Sequence, residues 1–151
     1  MSKLVYLFAG LFVNSAVLAN NNATPLKDVY KLPVWVDQVQ RVCPWKSKAG
    51  SGYVRMIRTE VDGRHGLFLQ WVRKGIAGAP TQPTSTVLVE ELTHEFPVRL
   101  EMPKAKLLPN SCQLSATAEN INTERRYMMT FTLKGPGSYD MQVTRLYEGG
   151  L

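Results

Sequence analysis

His65 and His94 are the only two histidines in the chain, so any neutral-pH proton transfer through an imidazole must use one of them. His94 lies in Glu90-Glu91-Leu92-Thr93-His94-Glu95, the densest grouping of acids around a histidine. Carboxylates beside an imidazole can hold a divalent cation or supply a general base. The spacing, however, matches neither H-E-x-x-H nor another metal signature, and the segment reads as a solvated turn or strand end. His65 follows Arg64 just after Asp62-Gly63 and reads as an exposed turn residue.

Serine chemistry has no better footing. Ser51 in Gly50-Ser51-Gly52 lacks the Gly-x-Ser-x-Gly flanks of a nucleophile elbow. A phosphate cradle would need a helix to follow, whereas Gly50 to Tyr53 leads into a strand pattern. Glu60 and Asp62 could act together on a glycoside only at a defined separation across a cleft; around a turn they read as solubilising charge. No catalytic residue, no metal ligand and no cofactor is assigned on these patterns.

The basic residues are more suggestive. Arg55, Arg58, Arg64, Arg73 and Lys74 fall on or beside one expected hairpin together with Tyr53. On a shared face these six would form a cationic-aromatic surface for an anionic ligand. Arg55 and Arg58 are separated by an odd number of residues, which sends them to opposite faces of a regular strand. Arg99, Lys104, Lys106, Arg125 and Arg126 add positive charge further along, and the 151-residue chain carries a formal net charge of +6. Such a balance favours anionic partners, among them lipid headgroups, acidic glycans and nucleic acid.

The N-terminus narrows that choice. Met1-Ser2-Lys3 is followed by an uncharged apolar run from Leu4 to Val13, and Val17 and Ala19 sit at −3 and −1 of a cleavage site. That is the pattern of a signal peptide spanning residues 1–19. The competing reading, an uncleaved anchor, needs about 20 apolar residues, and the run is interrupted at Asn14-Ser15. Export directs the partners to an envelope or extracellular protein or an acidic glycan, away from nucleic acid, with no integral membrane segment after cleavage. A short leader and small size suit a bacterial envelope, periplasmic or secreted. Asn22-Ala23-Thr24 matches a glycosylation sequon, relevant only in a eukaryote.

In an oxidising compartment the two cysteines, Cys43 and Cys112, are expected to form one disulfide; free thiols are the alternative, and no C-x-x-C supports a redox role.

The elements that would position these residues read as all-β. Residues 20–32 are polar and irregular, with Pro25 and Pro33 as breakers, and residues 33–151 form one domain. In Pro33 to Val42, Trp35, Val36, Val39 and Val42 share a helical face, so a short helix ending near Cys43-Pro44 is expected, with a strand start as the alternative. From Tyr53 the period changes to two. Tyr53 to Val61 and Leu67 to Val72 form a hairpin around Asp62-Gly63, with Arg64, His65 and Gly66 completing the loop. The apolar run Leu67 to Val72 suggests a central strand covered on both sides. Gly75 to Ser85 is a loop, followed by a strand at Thr86 to Glu90. Alternation then places Phe96, Val98, Leu100 and Met102 on one buried face, and likewise Leu114, Ala116 and Ala118. Tyr127, Met129, Phe131 and Leu133 repeat it, as do Tyr139, Met141 and Val143. About seven antiparallel strands predict an immunoglobulin-like β-sandwich, with a barrel as the alternative. Pro97 and Pro103 must then lie on an edge or flank a short strand, and Trp71 between the cysteines suits a buried Trp beside an inter-sheet bridge.

Function follows from these readings as an expectation: an exported, non-catalytic binding module, accessory, inhibitory or structural. Two alternatives remain. The final strand, from Gly135 to Tyr147, could be donated to a neighbour in a surface polymer, and a small secreted hydrolase could assemble its site in space.

Overall fold

The computed structural model of the protein describes residues 26–147. The expected leader 1–19, the sequon Asn22-Ala23-Thr24 and the tail Glu148-Gly149-Gly150-Leu151 lie outside them. The described residues before Pro33 contain one helical turn, α1 (Leu26–Val29), with a Lys31–Asp28 ion pair at 3.1 Å.

From Pro33 onward the described chain is almost all strand. β1 (Val36–Ser47), β2 (Gly50–Val61), β3 (Arg64–Arg73) and β4 (Gln82–Leu88) form one antiparallel meander in chain order. After one helical turn, α2 (Glu90–His94), come β5 (Val98–Leu100), β6 (Lys104–Leu107), β7 (Cys112–Asn120), β8 (Arg126–Leu133) and β9 (Tyr139–Arg145). They form the second sheet, ordered β5-β7-β8-β9, with β6 also on β7. β5 pairs with the end of β7 and β6 with its start, so the two are one edge interrupted at Pro103, which has no N–H for the ladder. Both sheets keep free edges. The fold is a sandwich of nine strands and not a barrel.

The expected helix over Pro33 to Val42 is a strand. Two bulges, between Val36 and Gln38 and between Arg41 and Cys43, each insert a residue into β1. They break the alternation, so Val36, Val39 and Val42 fall at a spacing that mimics a helical face. β-branched residues and the ladder offered by β2 favour the extended chain. Pro44 is tolerated because β1 is an edge.

The hairpin is tighter than expected. Asp62 (φ +52°) and Gly63 (φ +74°) form the whole turn, the left-handed pair of a type I′ hairpin. Arg64, His65 and Gly66 belong to β3, where His65 faces Glu60. β4 likewise begins earlier, at Gln82, and Glu90 to His94 is a helical turn.

The core lies between the sheets. Leu114, Ala116 and Ala118 of β7 and Met129, Phe131 and Leu133 of β8 face Met56, Leu67, Leu69 and Trp71 of the first sheet, all buried. The Cys43–Cys112 disulfide joins β1 to β7 with Cα atoms 6.1 Å apart, a normal span for such a bridge. Cys43, Val54 and Trp71 share one row across β1, β2 and β3. The buried Trp thus lies in the row that carries the bridge, with Val54 between it and Cys43.

Gly52 explains a further contact. Trp45 on β1 donates its indole N–H to the Val72 carbonyl on β3 at 3.1 Å, across the intervening β2. The β2 residue opposite Trp45 is Gly52, and a Cβ there would lie 1.9 Å from the Val72 oxygen. Gly52→Ala is therefore expected to break this bond and shift backbone, destabilising by about 2 kcal/mol in urea titrations. An unchanged midpoint would show that Trp45 does not need the crossing.

Candidate functional site

On β1 to β4, one set of alternate side chains enters the core and the other faces outward. The outward set contains four charged residues, Arg41, Lys46, Arg55 and Arg64, and no carboxylate. Arg41 on β1 stands directly opposite Arg55 on β2. The Arg41 guanidinium lies 4.2 Å from the centroid of the Tyr53 ring, a cation–π stack that holds it flat against the sheet. Arg55 donates through Nε to Gln70 Oε1 at 2.9 Å, and its Nη2 reaches the same oxygen. Gln70 in turn donates to Thr86 Oγ1 at 2.9 Å. Arg41, Arg55, Gln70 and Thr86 thus form one polar row over all four strands. Among the described residues, neither arginine has a carboxylate within ion-pair distance.

Apolar rows lie on both sides of it. Val39, Ile57, Phe68 and Leu88 form one, and Pro44, Tyr53, Val72 and Pro83 the other. Ile57, Phe68 and Leu88 are half-buried, and Val39 is 47% exposed. Of the run Leu67 to Val72, expected to be covered on both sides, Leu67, Leu69 and Trp71 enter the core, and on the outward side Val72 is also buried while Phe68 is half-buried.

The six residues singled out from the sequence do not form one surface. Tyr53 and Arg55 belong to this face. Arg58 points to the inner side, as its odd spacing from Arg55 requires. Arg64 sits at the hairpin end, donating from Nη2 to the Thr93 carbonyl at 3.3 Å. Arg73 is at the opposite end beside Gly50, and Lys74 follows β3, its backbone N–H donating to Ser51 O at 3.0 Å. Arg41, the partner of Arg55, was hidden in the stretch read as helix; only its position two residues before Cys43, in a run rich in Val, could have flagged it.

A second polar cluster lies at the seam between the sheets. The bulge at Asp37 turns its carboxylate to Arg58, whose Nη2 donates to Asp37 Oδ2 at 2.6 Å. Arg58 Nη1 donates to the Leu100 carbonyl on β5 at 2.8 Å. His65 Nδ1 lies 2.9 Å from both the N and the O of Leu100. Accepting from the Leu100 N–H satisfies that donor and leaves the Nε2–H turned to Glu60, 3.9 Å away. Potential ligand atoms of Asp37, Glu60 and His65 lie within 4.8 Å of one another, so these are the three residues that could meet at a cation. Asp37 is engaged by the Arg58 fork and His65 Nδ1 by the Leu100 N–H, while the Glu60 carboxylate is exposed. The cluster ties β2 and β3 to β5.

The Glu90–Glu95 cluster is strung along α2. Glu91 Oε2 accepts from the Tyr139 hydroxyl on β9 at 2.8 Å. Burial, and then this bond, push the Tyr139 phenol above its ordinary range. His94 is exposed. β9 itself pairs with β8 along its full length, completing its own sheet. No helix among the described residues is long and apolar enough to cross a membrane. In comparisons with protein-family models, curated proteins and solved structures, nothing matches this chain.

Proposed function

We propose that this protein is an exported, non-catalytic binding module of the bacterial envelope, and that it holds an anionic partner against the outward face of β1 to β4. The observation that carries the reading is the opposed, uncompensated pair Arg41 and Arg55 on a face whose charges are all positive. Like charges directly opposite on neighbouring strands repel, and an anion between them removes the repulsion. Both guanidiniums are already fixed, one by Tyr53 and one by Gln70, so little side-chain freedom is lost on binding. Guanidinium forks suit carboxylate, sulfate or phosphate oxygens. The leader pattern in residues 1–19 and the Cys43–Cys112 disulfide support a periplasmic or secreted location. Assembly by strand addition and hydrolysis lack a comparable observation.

Heparin, a soluble polyanion, serves as the probe. Its affinity for the mature domain is expected to fall at least tenfold between 50 and 500 mM NaCl, by isothermal titration, because salt screens exposed charge. Binding that holds constant over that range would exclude electrostatic recognition.

A further inference from the structure

We infer that the anionic partner is a protein presenting an extended segment in which an acidic side chain is flanked, two residues away on each side, by apolar ones. This rests on the reading of the face as anion-binding and adds what the charge alone does not explain. On β2 the successive outward residues are Tyr53, Arg55 and Ile57, repeating about every 6.8 Å as strand geometry requires. Val72 stands opposite Tyr53, and Phe68 opposite Ile57. The cationic row is therefore a stripe between two apolar rows.

An extended segment laid along β2 has the same repeat. When its acid reaches Arg41 and Arg55, its residues two positions before and after fall over the half-buried Tyr53 ring on one side and the half-buried Ile57–Phe68 pair on the other. A sulfated or phosphorylated glycan would use the stripe and leave the row Val39, Ile57, Phe68, Leu88 without a role. A bilayer fits the order of the rows poorly. Membrane contact sets protruding apolar groups inside a rim of cations, whereas here the apolar side chains, exposed at Val39, half-buried at Ile57, Phe68 and Leu88 and buried at Val72, lie outside a central cationic stripe. Burying such an open apolar row is the usual contribution of a protein partner.

The test uses the mature domain with four probes: a Leu/Glu peptide of repeat Leu-Thr-Glu-Thr, which places Leu two residues to either side of each Glu on one strand face, its Leu/Gln counterpart of repeat Leu-Thr-Gln-Thr, heparin, and vesicles containing phosphatidylglycerol. The Leu/Glu peptide is expected to bind at least tenfold more tightly than the Leu/Gln form. Ile57→Thr with Phe68→Thr is expected to weaken it at least tenfold while changing heparin affinity less than twofold. Val39→Thr, nearly isosteric at an exposed position, keeps the fold and is expected to weaken the peptide alone about threefold. If the apolar variants leave peptide affinity unchanged while heparin still binds, the partner inference fails and anion binding stands. Vesicles captured in preference to the peptide would overturn it in favour of lipid. Failure of the peptide, heparin and vesicles alike would overturn both readings.

Discussion

Replacing Cys43 and Cys112 together by alanine is expected to lower the unfolding free energy by about 4 kcal/mol at 25 °C. The bridge closes a loop with a sequence separation of 69, so its removal frees a large part of the unfolded chain. In the folded state both sulfur-bearing residues are buried, at 1% and 5% exposure, and the alanines leave a small gap in the row shared with Val54 and Trp71. A domain of this size loses several degrees per kcal/mol, so the melting temperature is expected to drop on the order of 10–20 °C. Thermal melts of the double variant, and of the natural protein with reductant, measure this directly. A drop under about 3 °C would mean that the apolar core alone holds the two sheets together.

The reason the effect is large also explains which parts of the molecule were legible. Where one face of a strand meets the core and the other meets water, the sequence alternates. Leu114, Ala116 and Ala118, then Met129, Phe131 and Leu133, are buried as their spacing indicated. The disulfide was expected from the leader pattern in residues 1–19 together with a lone pair of cysteines. β1 was not legible, because the bulges at Asp37 and Val42 break its period. β6 was missed for a different reason: Lys104 to Leu107 are all exposed, so burial impresses no pattern on them.

The candidate site divides along the same line. Tyr53 and Arg55 were visible because β2 alternates cleanly. Arg41 was not, and without it Arg55 is an ordinary surface charge. The seam cluster was also out of reach, since Asp37, Arg58, Glu60 and His65 meet only through the bulge and through Leu100 on the other sheet. The continuous run Leu67 to Val72 correctly indicated a central strand. Among its outward apolar residues Val72 is buried and Phe68 half-buried, so cover on that side is incomplete toward Phe68.

The measurement that tests the central claim most directly compares two charge reversals of equal size on opposite sheets. Arg41→Glu with Arg55→Glu alters the outward face of β1 to β4. Lys104→Glu with Lys106→Glu alters exposed residues of β6 on the outward side of the second sheet. Each guanidinium lost removes a charge-assisted hydrogen bond of about 1.5–3 kcal/mol. The arginine reversal is therefore expected to weaken heparin binding by about 10²- to 10⁴-fold. At physiological ionic strength, screening acts over about 8 Å, and the lysine reversal on the far sheet is expected to cost severalfold at most. Equal losses from the two pairs, or a larger loss from the lysines, would contradict a binding face on β1 to β4.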